Sequence, residues 1–256
     1  MENEKEKSII KHKYFDSYFF KGLISRIVYI FIFYLGPKLL AITFMPLAIN
    51  QSESFRQGFA NFLIYITCFI SLLFINKDTL KEDFKNIDDT SKFTTNILIS
   101  VLVMYVAIFI SGFIQSSIIK GVSENEQAIN NIFKDNLAYI VMYPTTVILA
   151  PFVEEMVFRK SAFNVIKNKI VALIITTIIF GSMHIVTSYS MLRETYDATK
   201  ALLYTLAYGI PYFTMGFVFG SVYLTNDNNF YSSFILHLIN NFVASSISMF
   251  ILLYII

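Results

Sequence analysis

Long apolar runs separated by short polar loops dominate this 256-residue sequence. A helix needs about 20 residues to cross a hydrocarbon core ~30 Å thick, because each residue adds ~1.5 Å. Seven runs reach or approach that length: Leu23–Ile49, Phe59–Ile75, Thr94–Ile119, Leu137–Phe163, Ile170–Ile185, Ala201–Leu224 and Ser232–Ile256. The pattern predicts an all-α, polytopic transmembrane helical bundle of about seven spans. The short second run, and Gly36–Lys38 inside the first, leave a range of six to eight.

The composition supports a membrane protein and excludes one other class. Apolar residues make up 55% of the chain and charged residues 15%, whereas an average soluble protein has about 25% charged residues. The net charge of +2 is too small for a nucleic-acid-binding protein, so no nucleic-acid partner is expected. Cys68 is the single cysteine, so the chain can form neither an intramolecular disulfide nor a thiolate cluster.

Lysine and arginine residues are distributed unevenly between the two sides of the predicted bundle. They concentrate in residues 1–22 and in the loops after the second and fourth runs. Cytoplasmic loops near membrane spans carry an excess of these residues, so the pattern places the N-terminus in the cytoplasm. Residues 1–22 are predicted to form a basic cytoplasmic segment, either solvated or lying along the lipid surface.

A polar segment, residues 120–136, separates two groups of predicted membrane helices. Its sequence, KGVSENEQAINNIFKDN, could form a short amphipathic helix at the outer surface. Residues 23–119 contain the N-terminal transmembrane helices. Residues 137–256 contain the candidate chemistry and are predicted to form the functional core.

Two adjacent glutamates and an arginine end the fourth apolar run, in the stretch PFVEEMVFRK (151–160). An ionisable side chain inside a span costs about 2.5 kcal/mol or more unless it is paired or hydrated. Glu155 and Arg159 are four residues apart, so a helix places them on one face, close enough to pair. Glu154 points ~100° away and has no cation within one turn. The alternative is that the helix has reached the lipid headgroups, where these charges need no function.

Two of the three histidines, His184 and His237, also lie in predicted spans. Glu154 lies 14 residues before the turn near Asn168 and His184 lies 16 residues after it, so an antiparallel hairpin brings both to similar depth. His237 and Asn241 share one face of the last helix. The four side chains could therefore converge, although a single intramembrane histidine is also typical of a helix–helix contact.

Three short motifs in these spans resemble those of one family. EEMVFR (154–159) is similar to an EExxxR motif, FGSMH (180–184) to FxxxH, and HLINN (237–241) to HxxxN. In this order they resemble the motifs of the CAAX protease and bacteriocin-processing family of intramembrane proteases, also called the CPBP or Abi family. Each motif is weak alone, but three in order on predicted spans form a specific pattern.

The resemblance implies an intramembrane endopeptidase that hydrolyses a peptide bond near the cytoplasmic side of the bilayer. The implied catalytic residues are Glu154, His184, His237 and Asn241. Glu154 would be the general base for the attacking water, with His184 beside it, and the other two would bind the developing oxyanion. A desolvated glutamate is a better base near neutral pH, and a fixed oxyanion donor contributes about 3 kcal/mol.

The resemblance also implies a supporting ion pair between Glu155 and Arg159, and it leaves the metal requirement open. The family has been described both as metalloproteases and as metal-independent glutamate proteases. Glu154, His184 and His237 could form a zinc site with water in the open position. The sequence has no HExxH motif, and the prediction is a slight preference for a reaction without zinc.

The substrate is inferred only from composition and from the resemblance. The chain is rich in Ile, Lys, Asn, Phe and Tyr and poor in Gly and Pro, which is typical of an AT-rich bacterial genome. The expected location is therefore a bacterial cell membrane. The expected substrate is a membrane-associated protein or a small bacteriocin, pheromone or leader peptide, cut for maturation or self-immunity. The alternative is a non-catalytic membrane scaffold, or an immunity or regulatory protein, of the same fold.

Overall fold

The computed structural model describes residues 2–87 and 89–254, and within them only helices, turns and loops. The helices are α1 (Glu2–Thr43), α2 (Glu53–Lys85), α3 (Thr90–Ile118), α4 (Glu124–Phe133), α5 (Asn136–Pro144), α6 (Ala150–Glu155), α7 (Ala162–Val165), α8 (Lys169–Met183), α9 (Val186–Arg193), α10 (Ala198–Thr225) and α11 (Phe230–Tyr254). The described part of the chain contains no strand, which confirms the all-α prediction. The last predicted run ends at Ile256, outside the described residues.

The described helices confirm the predicted number of spans. Six stretches are long and apolar enough to cross a membrane: Ser17–Leu40, Glu53–Lys85, Thr90–Ile118, Asn136–Val165, Ala198–Thr225 and Phe230–Leu252. The α8–α9 pair, bent by 42°, would be a seventh. In the first run, α1 continues through Gly36 and Pro37 instead of dividing into two half-spans. The predicted basic segment 1–22 is helical where it is described, since it continues into the same helix.

Short polar side chains fix where several helices begin. Ser52 caps α2 by accepting the N–H of Phe55, and Ser123 caps α4 by accepting the N–H of Glu126. Asp135 caps α5 in the same way. Each cap satisfies an N–H group that has no partner inside its own helix. The helix α4 lies within the polar segment 120–136, where the sequence predicted a short helix.

The fourth span, Asn136–Val165, is called the rod here and is the most buried of the six. Two π-helical segments, Thr145–Leu149 and Met156–Ser161, join α5, α6 and α7 into one continuous helix. In the most apolar stretch of this span 50% of the residues are buried, whereas in the first span 6% are buried. Helices α2 and α11 both contact this rod. The rod carries both glutamates of the EExxxR motif, so the candidate chemistry lies at the centre of the bundle.

The outer surface of the bundle is apolar. Large side chains on α1, α3 and α8 are exposed, for example Tyr34 (72%), Phe109 (77%) and Ile170 (68%). Such a surface would be costly in water but is stable against lipid, where only helices and closed barrels satisfy their backbone hydrogen bonds internally. The chain is therefore an integral membrane protein.

A buried ion pair ties the second π segment to two other helices. Lys160 Nζ lies 2.6 Å and 2.7 Å from the two carboxylate oxygens of Asp83, at the end of α2. The same carboxylate accepts the backbone N–H of Phe230 at 2.9 Å, and Asn229 donates to the Asp83 carbonyl at 2.7 Å. One charge cluster therefore positions the rod, α2 and the start of α11.

Close packing of α1 on the second π segment leads to a first prediction. A Cβ on Gly22 would lie 2.8 Å from the carbonyl oxygen of Ser161, so the backbones would have to separate. Gly22→Ala is expected to destabilise the fold by about 1–3 kcal/mol and lower the melting temperature in detergent. Gly112→Ala is the control, because nothing lies within 4 Å of its Cβ position. The control is expected to melt at or above the wild-type temperature. Equal melting temperatures for the two variants would contradict this packing.

Candidate active site

The first π segment places Glu154 and Glu155 on the rod. Ala150 donates its backbone N–H to the carbonyl of Thr145, five residues earlier, which widens this turn. Pro151 follows immediately and has no N–H to continue the α-helical pattern. The widened turn accommodates the proline, so the rod passes it without a break. Both glutamates then lie in the last turn of α6, and both are buried.

A buried cluster surrounds Glu155. Arg159 Nη1 donates to Glu155 Oε1 at 3.0 Å, and both side chains are 0% exposed, so the predicted ion pair is present. Arg159 Nη2 donates to the carbonyl of Gly216 at 2.9 Å. Its guanidinium also lies over the rings of Phe180 and Phe219, at 4.9 Å and 5.6 Å. The arginine therefore neutralises Glu155 and joins the rod to α8 and α10.

His237 lies between the two glutamates. Its Nδ1 is 2.9 Å from Glu155 Oε1, and its Nε2 is 3.9 Å from Glu154 Oε2. An ionised carboxylate can only accept a hydrogen bond, so the proton between His237 and Glu155 is carried by Nδ1. The ring stacks on Phe219 with centroids 4.4 Å apart, which fixes its plane. The link from His237 to Glu155 was not predicted from the sequence.

Glu154 has a different environment from its neighbour. Its Oε1 accepts a hydrogen bond from the hydroxyl of Tyr65 at 3.2 Å. Its Oε2 faces His237 across 3.9 Å, a distance too long for a hydrogen bond. The side chain is nearly buried, and no lysine or arginine pairs with it among the residues described. Glu154 is therefore the carboxylate that remains free of a direct cation.

His184 lies at the bend between α8 and α9. Its ring stacks on Tyr212 with centroids 4.6 Å apart, and its Nδ1 is 3.5 Å from the side-chain nitrogen of Asn125 on α4. Its Nε2 is buried and has no hydrogen-bond partner in the described part of the chain. His184 and Glu154 line the same two cavities, so the two side chains lie at one site as the sequence predicted.

Asn241 contacts the rod. Its Nδ2 donates to the carbonyl of Thr146 in the first π segment at 2.9 Å, and its Oδ1 accepts from Asn240 at 3.1 Å. Both asparagines line the same cavity as His237. The predicted i, i+4 relation therefore brings His237 and Asn241 to one site.

Two cavities meet at Glu154 and His184. The first has a volume of about 440 Å³ and extends to α4; its polar lining includes Asn61, Gln115, Ser123, Asn125, Asn240, Asn241, Ser245 and Ser248. The second, of about 480 Å³, is lined mainly by α1 and the α8–α9 bend, with Tyr29, Ile30, Phe33, Tyr34, Tyr65 and Met183. One approach to the glutamate is thus rich in amides and hydroxyls, and the other is aromatic.

The predicted zinc ligands do not form a metal site in this arrangement. Within residues 2–87 and 89–254, no three His, Cys, Asp or Glu side chains are grouped to hold one ion. Because Glu154, His184 and His237 are not gathered around one point, no chemical step is derived through a metal.

A family model matches the part of the chain that contains this cluster. Residues 136–243 match the model described as type II CAAX prenyl endopeptidase Rce1-like. This segment, called the Rce1-like segment below, is similar to the Rce1-like family and makes up less than half of the chain. The Rce1-like segment contains all three motifs read from the sequence, so the resemblance on which those motifs were assigned is confirmed at the level of the family.

Two curated proteins are similar to part of this chain. One, from Bacillus subtilis (strain 168), is named "Putative membrane peptidase YdiL" and is 28% identical over 164 residues. The other, an uncharacterized protein of Mycoplasma capricolum subsp. capricolum, is 29% identical over 142 residues. The alignments cover 60% and 50% of this chain, and 65% and 40% of those relatives. No solved structure matches the chain.

Sequence reasoning missed four contributors to the candidate site and its supporting contacts. Tyr65 lies among other aromatic residues of an apolar span, and Asp83 among the charges of a polar loop, so neither differs from its neighbours in the sequence. Asn125 lies in the polar segment before the fourth span. Lys160 adjoins Arg159 and was counted with the cytoplasmic charges, although it is buried with Asp83.

Proposed function

We propose that this chain is an intramembrane endopeptidase in which Glu154 activates water for attack on a peptide bond. The observation that carries the proposal is the 3.9 Å separation between Glu154 Oε2 and His237 Nε2 at the wall of a cavity. Polar atoms more than 3.5 Å apart can be bridged by a water molecule. A water there contacts a base that has few competing partners, and the family match and the name of the Bacillus relative support peptide hydrolysis.

Glu154 can carry out both proton transfers that peptide hydrolysis requires. Glu154 Oε2 accepts a proton from water, and the resulting hydroxide attacks the carbonyl carbon of the scissile bond. The tetrahedral intermediate then collapses, the C–N bond breaks, and the leaving amine takes the proton back from Glu154. The enzyme ends each cycle in its starting state, and no group outside the described site is required for proton balance.

Donors for the oxyanion come from the last helix. His237 donates Nδ1–H to Glu155, which holds the ring with Nε2 toward the cavity, where Nε2 can donate to the oxyanion when it carries a proton. Arg159 balances the charge of Glu155 and holds its rotamer. Asn241 uses one amide hydrogen for Thr146 and retains the other for the oxyanion. Glu155 and Arg159 therefore act through His237.

The cavities suggest the class of substrate. Amides and hydroxyls along the first cavity can hydrogen-bond the backbone of an extended peptide, and the aromatic second cavity can take an apolar side chain or segment. The first cavity extends to α4, on the side that the lysine and arginine distribution predicts to face away from the cytoplasm. These features support a small hydrophobic or leader peptide as the substrate, rather than a cytoplasmic protein.

Peptide cleavage by the purified protein in lipid tests the proposal. A panel of hydrophobic and leader peptides is incubated with wild type and with His237→Gln, each with and without a zinc chelator, and products are identified by mass spectrometry. Wild type is expected to cut at least one peptide, and His237→Gln to be about a hundredfold slower. Activity is expected to survive the chelator.

Two outcomes would contradict the proposal or part of it. If no peptide is cut, and His237→Gln leaves the cellular phenotype intact, the polar cluster only packs the bundle and the non-catalytic scaffold replaces the protease. If cleavage occurs but the chelator abolishes it, and added zinc restores it, the reaction requires a metal. The water would then be activated by a zinc site and not by Glu154 alone.

A further inference from the structure

A tyrosine from outside the Rce1-like segment contacts the proposed base. Tyr65 lies on α2, in the N-terminal part of the chain, and its hydroxyl donates to Glu154 Oε1 at 3.2 Å. The family model begins only at residue 136, so nothing in that match assigns a role to α2. Tyr65 and Glu154 line both cavities, which places the hydrogen bond at their junction.

This hydrogen bond makes the two oxygens of Glu154 different. The torsion that rotates a carboxylate about its last bond is broad, so an untethered glutamate can exchange Oε1 and Oε2. Here the tyrosine occupies Oε1, while Oε2 faces His237 Nε2. We propose that Tyr65 is a positioning residue that fixes the carboxylate plane and reserves Oε2 for the proton of the attacking water. The inference rests on the proposed peptidase function.

Packing around the tyrosine keeps its hydroxyl in place. The Tyr65 ring meets Phe33 of α1 edge to face, with centroids 5.2 Å apart. Phe33 packs in turn against Tyr29, with centroids 4.4 Å apart. Two helices therefore hold the aromatic group, and the hydroxyl reaches the glutamate from a fixed position. Preorganisation of this kind raises the rate of a chemical step more than it raises substrate affinity.

Tyr105 of α3 provides a matched control. Its hydroxyl is buried and has no hydrogen-bond partner in the described part of the chain, and the residue lines neither cavity. Tyr105→Phe and Tyr65→Phe each remove one hydroxyl from the interior of the bundle. Only the second removes a hydrogen bond to the base.

The experiment measures kcat and KM for the best peptide of the cleavage panel, with the full-length protein in lipid. A hydrogen bond to a charged group is a strong one, so Tyr65→Phe is expected to lower kcat about tenfold. KM is expected to stay within about twofold, because the lost contact is to the base and not to substrate. Tyr105→Phe is expected to leave both constants within about twofold of wild type.

Several results would overturn the inference. A wild-type kcat in Tyr65→Phe means that Glu154 does not need the tyrosine, and an equal fall in Tyr105→Phe means that both hydroxyls only support packing. A raised KM at constant kcat means that Tyr65 contacts substrate. Tyr65→Met provides a second variant without the donor if the phenylalanine variant fails to fold. If wild type cuts no peptide, the proposed function fails, and this inference fails with it.

Discussion

Glutamine in place of Glu154 is expected to lower the rate of peptide cleavage about a thousandfold without unfolding the protein. The amide has nearly the shape of the carboxylate and can still accept the hydrogen bond from Tyr65. It cannot take a proton from water, and a positioned general base typically contributes about 10²- to 10⁴-fold. Burial increases the effect, since little solvent is available to replace the base.

Single-turnover cleavage rates in lipid, with circular dichroism and melting temperature on the same samples, measure this effect. Glu194→Gln is the matched control, because it removes one exposed carboxylate from the same chain, and it is expected to cleave at the wild-type rate. If Glu154→Gln retains more than about a tenth of the wild-type rate, another group activates the water. The proposed mechanism would then be wrong even if the protein is a protease.

Methionine in place of Arg159 is expected to destabilise the folded protein by about 3–5 kcal/mol. The substitution leaves Glu155 fully buried without its cation, and such an unpaired charge is far more costly than the pair was favourable. It also removes the hydrogen bond to Gly216 and the contacts with two aromatic rings. Denaturant unfolding in detergent, followed by circular dichroism, gives the change in free energy.

Two further variants separate the loss of charge from the loss of packing. Arg159→Lys keeps the charge but cannot contact both Glu155 and Gly216 with a planar fork, so an intermediate loss is expected. Glu155→Gln combined with Arg159→Met removes both charges and is expected to recover much of the stability of the single variant. A double variant less stable than Arg159→Met would show that the buried charge is not the main cost.

The spans and the motif cluster could be predicted because they depend on local sequence. Runs of about 20 apolar residues have few structural alternatives in a bilayer, and the i, i+4 spacing alone brings Arg159 to Glu155. The convergence of Glu154 and His184 followed from counting residues on either side of a short turn. These inferences need only helix geometry and a single antiparallel hairpin.

The remaining contacts depend on how the helices pack, which the sequence does not encode locally. Tyr65 is 89 residues from its partner Glu154, and Asp83 is 77 residues from Lys160. Each is one of several similar residues in its stretch, so no period or spacing distinguishes it. Whether the first run is one span or two half-spans also depended on packing, and α1 continues through Pro37, since a proline can be tolerated inside a membrane helix.

The π segments on either side of α6 restrict where residues can be inserted into or deleted from this chain. Each widened turn amounts to one residue more than a regular α-helical turn, so the segment between Pro144 and Ala162 is out of α-helical phase at both ends. Deleting one residue between Glu155 and Arg159 would rotate the arginine by about 100° away from its partner. Insertions and deletions among relatives are therefore expected in loops such as residues 119–123 and 194–197, while this interval keeps its length.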